Sequence, residues 1–308
     1  MKKGFVIKST GSWYEIRDDE GKAYKGRLRG KFKQKGYKVT NPIAVGDYVK
    51  FELEQSQEGT VLITDILPRD NHIIRQSTHR KWHGHIIAAN MDQAIILVTL
   101  SLPRTSLGFL DRFLVAAEAY DIPAVIVFNK IDLLDEKAEQ EMGYLMDLYN
   151  SIGYKCLSLC ALTGKNVEAF IKVIQHKKTL IAGHSGVGKS TLINRVNPEI
   201  QQKTAEISTF ANKGKHTTTY AEMFEILPGT FLIDTPGIKE LGIMHVEENE
   251  LGFCFPEIRE IQQNCKFYNC THTHEPGCAV LEKVENEEIA YSRYLSYLSI
   301  LENEDNRR

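Results

Sequence analysis

Asn129-Lys130-Ile131-Asp132 ends 51 residues before Gly183-His184-Ser185-Gly186-Val187-Gly188-Lys189-Ser190 begins, and the order of these two strings decides the fold. The second string has the spacing of a phosphate-binding P-loop, in which glycines let successive backbone N–H groups converge on phosphate oxygens at the start of a helix. The first has the composition of a guanine-reading loop. Each follows a short apolar run, Ala124 to Phe128 for the first and Thr179 to Ala182 for the second, so each sits where a strand hands the chain to a helix. In the ordinary arrangement of such a domain the phosphate loop comes first and the base loop near the end. Here the nucleotide elements run in the rotated order 4-5-1-2-3, which implies a circularly permuted α/β domain. Permutation moves the C-terminus of that domain beside its switch loops, so whatever follows in sequence can feel the nucleotide state.

The chemistry assigned to each residue follows from its type and place. Lys189 is expected to reach the β- and γ-phosphates and the Ser190 hydroxyl to bind magnesium, with Thr191 opening the helix behind them. The Asp132 carboxylate can accept from guanine N1–H and the 2-amino group together, a charge-assisted pair that adenine does not offer. A polar pocket of that kind discriminates by ~10⁴. Cys160-Ala161-Leu162 occupies the place of the loop whose backbone N–H groups touch guanine O6, where serine is the usual first residue. Asp234-Thr235-Pro236-Gly237 follows the apolar strand Thr230 to Ile233, which puts Asp234 in position to hold magnesium through water and the Gly237 amide in position to sense the γ-phosphate. Lys213-Gly214-Lys215-His216-Thr217-Thr218-Thr219 lies between the phosphate loop and Asp234, where a switch threonine belongs; Thr217 and Thr218 are the candidates for the nucleotide site. Ile238 stands where Ras-like enzymes place a water-orienting glutamine. His216 can position water instead, or can be a surface or phosphate-contacting residue. Lys189, His216 and Asp234 form the catalytic expectation.

The rest of the chain frames this domain. With 308 residues, 42% hydrophobic and 25% charged, it has room for two or three domains and an ordinary soluble composition. The longest uncharged apolar run near the middle, Gln93 to Pro103, is 11 residues, too short to span a bilayer, and Met1-Lys2-Lys3-Gly4 lacks a signal-peptide core. A cytoplasmic protein with no membrane partner is expected. The net charge of -2 hides a polarity: residues 1–50 carry 13 basic against 5 acidic side chains, and residues 240–308 carry 6 against 14. Eight basic residues between Lys22 and Lys38, interleaved with Tyr24, Phe32 and Tyr37, suit a nucleic-acid backbone with stacked bases, or else a solvated surface.

Residues 1–70 alternate in and out, as in Val45 to Leu53, with Gly or Asn-Pro punctuation; a small barrel of the OB type, or an SH3-like one, is predicted. Residues 71–90, with His72, Arg75, His79, Arg80, Lys81, His83 and His85, are expected as a basic hinge rather than a metal site. From Met91 strands and helices alternate to 242, predicting a parallel sheet covered on both faces, with helices over Ser106 to Tyr120, Glu136 to Ile152 and Asn166 to Gln175. Within 243–308, Cys265, Cys270 and Cys278 gather with a histidine over 14 positions, soft ligands for a closed tetrahedral zinc site. His272 is preferred over His274 for its compact Cys-x-His spacing. Cys156, Cys160 and Cys254 are expected as buried core. A helical tail from Glu282 to Leu301 is expected to pack Ile289, Tyr294, Leu298 and Leu301 on its own domain.

The permuted order, the Gly-Lys-His-Thr-Thr-Thr switch, Asp-Thr-Pro-Gly-Ile, the leading barrel and Cys-x4-Cys-x-His-x5-Cys together resemble the ribosome small subunit-dependent GTPase A family of bacteria over the whole chain. The resemblance implies a multidomain α/β protein: an N-terminal all-β OB-type barrel, a circularly permuted P-loop GTPase domain and a C-terminal zinc-binding helical domain. It implies a monomeric cytoplasmic GTP hydrolase, using GTP/GDP, Mg²⁺ and one structural Zn²⁺, that binds the small ribosomal subunit and its rRNA late in maturation. Carried over residue by residue, Asn129 to Asp132 hold guanine, Gly183 to Thr191 the phosphates, and Cys265, Cys270, His272 and Cys278 the zinc. A permuted GTPase acting on the large subunit, or a non-catalytic RNA-binding scaffold propped by GTP, are the rival readings.

Overall fold

The computed structural model of the chain describes residues 1–28, 42–54, 59–76, 84–200, 221–234 and 247–302. It divides into two compact units, one of Met1–Ile95, Val167–Ala182 and Lys189–Gly242, the other of Ile96–Asn166, Gly183–Gly188 and Ile243–Arg308. The nucleotide-binding half therefore contributes segments to both. The expected boundaries at 70, 90 and 242 are drawn along the sequence, and the compact units are not.

In the first unit β1 (Lys2–Ser9), β2 (Tyr14–Asp18), β3 (Ala23–Leu28), β4 (Tyr48–Leu53) and β5 (Thr60–Ile66) close into a barrel with the order β1-β2-β3-β5-β4-β1. The β3–β5 pair is parallel and all other pairs antiparallel, the OB-type connectivity, which resolves the choice between two barrels that sequence left open. Alternation supplies the core: Tyr14 and Ile16 point inward with Val6, Val49, Phe51, Val61 and Ile63, while Glu15 faces out. The strand expected from Val45 begins three residues later, at Tyr48. Gly46 turns there with φ 91°, and a Cβ would stand 2.0 Å from the Ala89 carbonyl oxygen, so the chain cannot run extended through it. Buried Asp47 then closes the turn by accepting from the Ala44 amide and from Arg69, at 2.6 Å on each carboxylate oxygen.

At its described ends the stretch expected as a basic hinge is paired strand. β6 (His72–Gln76) and β7 (Gly84–Ala89) form an antiparallel hairpin, with Ile73, Ile74, Ile86, Ala88 and Ala89 buried. Apolar Ile-Ile and Ile-Ile-Ala-Ala runs flank the histidines and decide the conformation. Residues 77–83, with His79, Arg80, Lys81 and His83, lie outside the described residues, as does most of the basic stretch beyond Leu28.

The same unit continues the sheet through β11 (Lys178–Ala182), β13 (Thr230–Asp234) and β12 (Glu222–Leu227) to β1 of the barrel. β11 and β13 are parallel, and β12 meets β1 at Lys8↔Glu222, reinforced by ion pairs from Lys8 to Glu222 and Arg17 to Glu225. Helices α3 (Val167–Ile174) and α4 (Lys189–Val196) belong to this unit. In the second unit β9 (Ala124–Phe128) and β10 (Lys155–Ser158) are parallel, served by α1 (Leu107–Ala119) and α2 (Glu136–Ser151). β8 (Gln93–Val98) passes from one unit to the other. The βα alternation thus matches the sequence expectation to within a residue or two at most ends.

The C-terminal segment of the second unit contains α5 (Pro256–Arg259), α6 (Ala279–Glu285) and α7 (Tyr291–Leu301). The single tail helix expected from Glu282 to Leu301 is two helices. Glu287 adopts φ 60° and the Glu288 and Ile289 amides both return to the Lys283 carbonyl, which ends α6 and buries Ile289. α7 packs on α1 through a buried ionic network. Arg293, 1% exposed, donates to Asp111 at 2.6 Å and Glu257 at 2.7 Å, while Tyr149 and Ser296 donate to the same Asp111. The guanidinium also lies 4.7 Å from the centre of the Phe255 ring. Replacing Arg293 by Met strands two buried carboxylates, and the expected loss of stability is about 3–5 kcal/mol. Urea unfolding of the intact chain checks it; a shift in midpoint no larger than that of an exposed substitution such as Lys137→Met would contradict it.

Candidate functional site

The base-reading loops and the phosphate loop up to Gly188 belong to the second unit. Asn129 directly follows β9 with 3% exposure, its amide N–H bonded to the Val98 carbonyl. Its side chain donates to the Val187 carbonyl at 2.7 Å and accepts from the Ala161 amide at 3.0 Å. One carboxamide therefore ties together three loops that the sequence reading assigned separately. Gly188 is required by the same contact: at φ 98°, a Cβ there would lie 2.3 Å from Asn129 Nδ2.

Lys130 takes φ 62° and donates to the Leu102 carbonyl at 2.7 Å. The left-handed turn leads into the one-turn 3₁₀ segment Ile131–Leu133, which leaves Asp132 exposed. The Cys160 thiol lies 2.9 Å from Asp132 Oδ1. Ser185 and Gly186 are exposed, Val187 is buried, and the His184 ring packs against Phe109 of α1 with centroids 3.8 Å apart.

The chain continues from Gly188 into the first unit at Lys189. α4 begins there with Leu192 buried and Ser190 and Thr191 exposed in its first turn. Burial pulls the Lys189 ammonium below its ordinary pKa, and the charge of Asp234, at the end of β13, opposes that shift. Ser190 and Asp234 are hard oxygen donors of the kind magnesium takes. His216, Thr217, Thr218 and Gly237, with Ile238, lie outside the described residues.

A second constellation sits in the C-terminal segment. Cys265, Cys270, His272 and Cys278 present ligand atoms that all lie within 4.8 Å of one another. A tetrahedron with metal–sulfur bonds of about 2.3 Å and metal–nitrogen bonds of about 2.05 Å has edges of about 3.8 Å between sulfurs and about 3.6 Å from sulfur to nitrogen. Cys265 to Cys278 is 3.9 Å, and His272 Nδ1 is 3.6 Å from Cys265 and 3.5 Å from Cys278. The cluster is compatible with a structural zinc. Burial pushes the Cys270 thiol up to about 12 and raises that of Cys278, so a bound cation is what would let the thiolates persist. His274, the rival ligand, is exposed and its Nδ1 pairs with the Thr273 hydroxyl.

The residues that shape this loop escaped the sequence reading. Glu275 accepts from the amides of Thr271, Thr273 and His274 and from the Thr271 hydroxyl. Burial works against its charge, but these donors hold its carboxyl well below the usual range. The Tyr294 and Tyr297 hydroxyls donate to the carbonyls of His272 and Thr271. Their i, i+3 spacing on the tail helix was the only signal available. Cys156, Cys160 and Cys254 are buried, as expected.

Two family models match, the RsgA N-terminal domain over residues 3–61 and the RsgA GTPase over residues 66–244. The chain belongs to the RsgA GTPase family. It is a GTPase, and guanine nucleotide and magnesium go with that family. The small ribosomal subunit biogenesis GTPase RsgA of Bacteroides fragilis is 50% identical over 303 residues, covering 98% of this chain and 97% of the relative. That of Cytophaga hutchinsonii is 49% identical over 99% of this chain and 100% of its own. Among solved structures, YjeQ from Thermotoga maritima superposes with a TM-score of 0.79 at 33% identity, covering 100% of this chain and 99% of that one. YloQ, described as a circularly permuted GTPase, gives 0.76 at 30% identity over 100% and 96%. The permuted topology expected from motif order is thereby established.

Asn129→Ala removes both side-chain bonds, the one from the Ala161 amide and the one to the Val187 carbonyl. GDP affinity is expected to fall by about tenfold or more, the worth of one to two such bonds, as read by equilibrium titration; unchanged affinity would show that the three loops hold their places without it.

Proposed function

We propose that this chain is a GTP hydrolase of small-subunit biogenesis, which binds the small ribosomal subunit and its rRNA in the cytoplasm as a monomer and acts late in maturation. The match to RsgA relatives over 98% of the chain carries the reading; the site supports it. No helix among the described residues is long and apolar enough to cross a membrane.

In this reading Asp132 accepts from guanine N1–H and the 2-amino group, and the Cys160–Ala161 backbone meets O6. The amides of Gly183 to Thr191 cradle the phosphates, with Lys189 neutralising the β- and γ-phosphate charge as it develops. Ser190 and Asp234 would hold magnesium, which would supply positive charge against the phosphates. Thr217 and Thr218 belong to the switch, His216 orients the attacking water, and the Gly237 amide senses the γ-phosphate. Cys265, Cys270, His272 and Cys278 hold one zinc with no open position, a structural role. The basic, aromatic-bearing barrel grips rRNA, and three modules, 1–70, 91–242 and 243–308, divide the work, with 71–90 connecting the first two.

With Ile238 in place of a glutamine the free enzyme lacks one water-orienting group, so unassisted turnover is expected on the order of 10⁻⁴ to 10⁻² s⁻¹. Small subunits should raise it, and Lys189→Ala should abolish it. An unchanged rate under conditions where subunit binding is demonstrated sinks the subunit-activated reading and favours a scaffold propped by GTP. Metal analysis should return one zinc per chain, retained without nucleotide. Cys278→Ser should lose it and loosen the C-terminal segment while GTP still binds; a fully folded native protein free of metal would contradict this.

A further inference from the structure

We propose that a cavity where the barrel joins the parallel sheet holds a single nucleobase, flanked by Tyr48 and Phe231 and bonded at its edges by lysines and carboxylates. For the source of that base the inference rests on the reading that the barrel grips RNA. It places the site on the β1–β4 side, away from the β2–β3 face that OB-type barrels commonly use.

The cavity lies wholly within the first unit and has a volume of about 260 Å³. That is below the ~300–1,000 Å³ of pockets for drug-sized ligands and suits one ring system. Buried Asn90 and Met91 contribute to its lining. Tyr48, the first residue of β4, supplies one ring, and Phe231 of β13 supplies another. Tyr48 is 37% exposed although its ring is large and apolar. Phe231 is half-buried and braced edge-on by Phe5, with centroids 5.3 Å apart.

The polar groups decide what fits between the rings. The Lys178 ammonium stands over Tyr48 at 4.0 Å and over Phe5 at 4.7 Å from the ring centres, and donates to the Tyr48 hydroxyl. An ammonium only donates, so the hydroxyl accepts and its own proton remains for an acceptor on a ligand. Lys177 donates to the neutral Gln93 carboxamide at 3.0 Å. Asp70 and Asp92 also line the cavity, and Asp92 accepts from the Lys178 amide at 2.7 Å. With two ammonium groups and two carboxylates the formal charges cancel, which disfavours a bare phosphate. A neutral flat group that carries acceptors and donors around its edge matches both sets, and a nucleobase is that group.

The barrel face beside the cavity suits a nucleic-acid strand. Across β1 and β4, Lys3 pairs with Lys50 and Phe5 with Tyr48. Gly4, Val6, Val49 and Phe51 are buried, so those four side chains lie on the outer face. The lysine pair is two residues, about 7 Å, along the strands from the aromatic pair. Cations beside an aromatic-walled recess hold single strands elsewhere, the backbone on the charges and a base on the rings.

The test uses the intact chain saturated with GDP, so that the nucleotide site is filled, and two probes of equal length: an unstructured single-stranded RNA of mixed sequence and an abasic ribose-phosphate strand. Tyr48→Leu and Phe231→Leu are each expected to lower affinity for the RNA by about fivefold or more, the worth of one base–aromatic stack, and to leave the abasic strand unaffected. Tyr48→Phe should keep most of the parent affinity. Lys3→Ala should weaken both strands alike and reduce the salt slope by about one. Tyr48 is exposed, so its replacement spares the core, and GDP affinity equal to the parent's confirms the fold of each variant. Free nucleosides report the other source: if they bind the parent and neither leucine variant, while RNA affinity is the same in all three, the pocket stands with a free nucleoside as its occupant. If neither RNA nor nucleoside distinguishes the leucine variants from the parent, or if Tyr48→Leu acts and Phe231→Leu does not, the pocket is overturned. If the parent binds neither strand, the RNA reading fails and nucleoside binding alone decides the pocket.

Discussion

The carboxamide of Asn129 is the constraint on which the nucleotide site depends. Its neighbours Ala161 and Val187 are 32 and 58 residues away along the chain, and both are reached by one buried side chain. In a permuted domain the base loop and phosphate loop have no short covalent route between them. Two hydrogen bonds, made where water cannot compete, take its place. Gly188 and Asn129 are consequently a single requirement: the glycine is there because the amide is.

A comparable role in the C-terminal half falls to Asp111 and Arg293. Taking both charges out of water is costly, and the cost is offset only because Tyr149, Ser296 and Glu257 saturate the pair. The network fixes α7 against α1 with directional bonds, where apolar packing alone would tolerate sliding. α1 has a second contact two residues earlier, Phe109 against His184 of the phosphate loop. A single 13-residue helix therefore touches the phosphate loop and the C-terminal segment at once. A shared rigid element of this kind is the physical prerequisite for coupling nucleotide state to whatever the C-terminal segment binds.

Much of this was legible in the sequence because it is local. The apolar runs around Ile126 and Leu180 read as buried strands, and the glycines of the phosphate loop read as a phosphate cradle. What failed to read was long-range. Asp111 sits among the buried apolar residues of α1, and its partner is 182 positions away, so no periodicity points to it. OB and SH3-like barrels differ in whether β3 pairs with β5, which alternation along one strand does not reveal. The paired strands at 72–76 and 84–89 were hidden by the histidines around them, whose composition outweighs the isoleucines. The tail helix was overextended because Glu287 has no intrinsic preference for a left-handed conformation; the need to bury Ile289 imposes it.

The metal cluster shows how the local and the long-range meet. Spacing favoured His272 over His274 only weakly, since both lie near Cys270 in sequence. The fold separates them: Glu275 gathers the amides of Thr271, Thr273 and His274, and His272, at φ 58°, turns inward while His274 stays at the surface. Tyr294 and Tyr297 then hold the carbonyls on either side of that turn from α7. Because α7 also carries Arg293, the helix that braces the Cys/His loop is the helix that is locked to α1. The metal loop, the buried ion pair and the phosphate loop thus lie along one continuous set of contacts, His272 to Tyr294, Arg293 to Asp111, Phe109 to His184. Loosening of the Cys/His loop would be felt first as freedom in α7, and through Arg293 as freedom in α1.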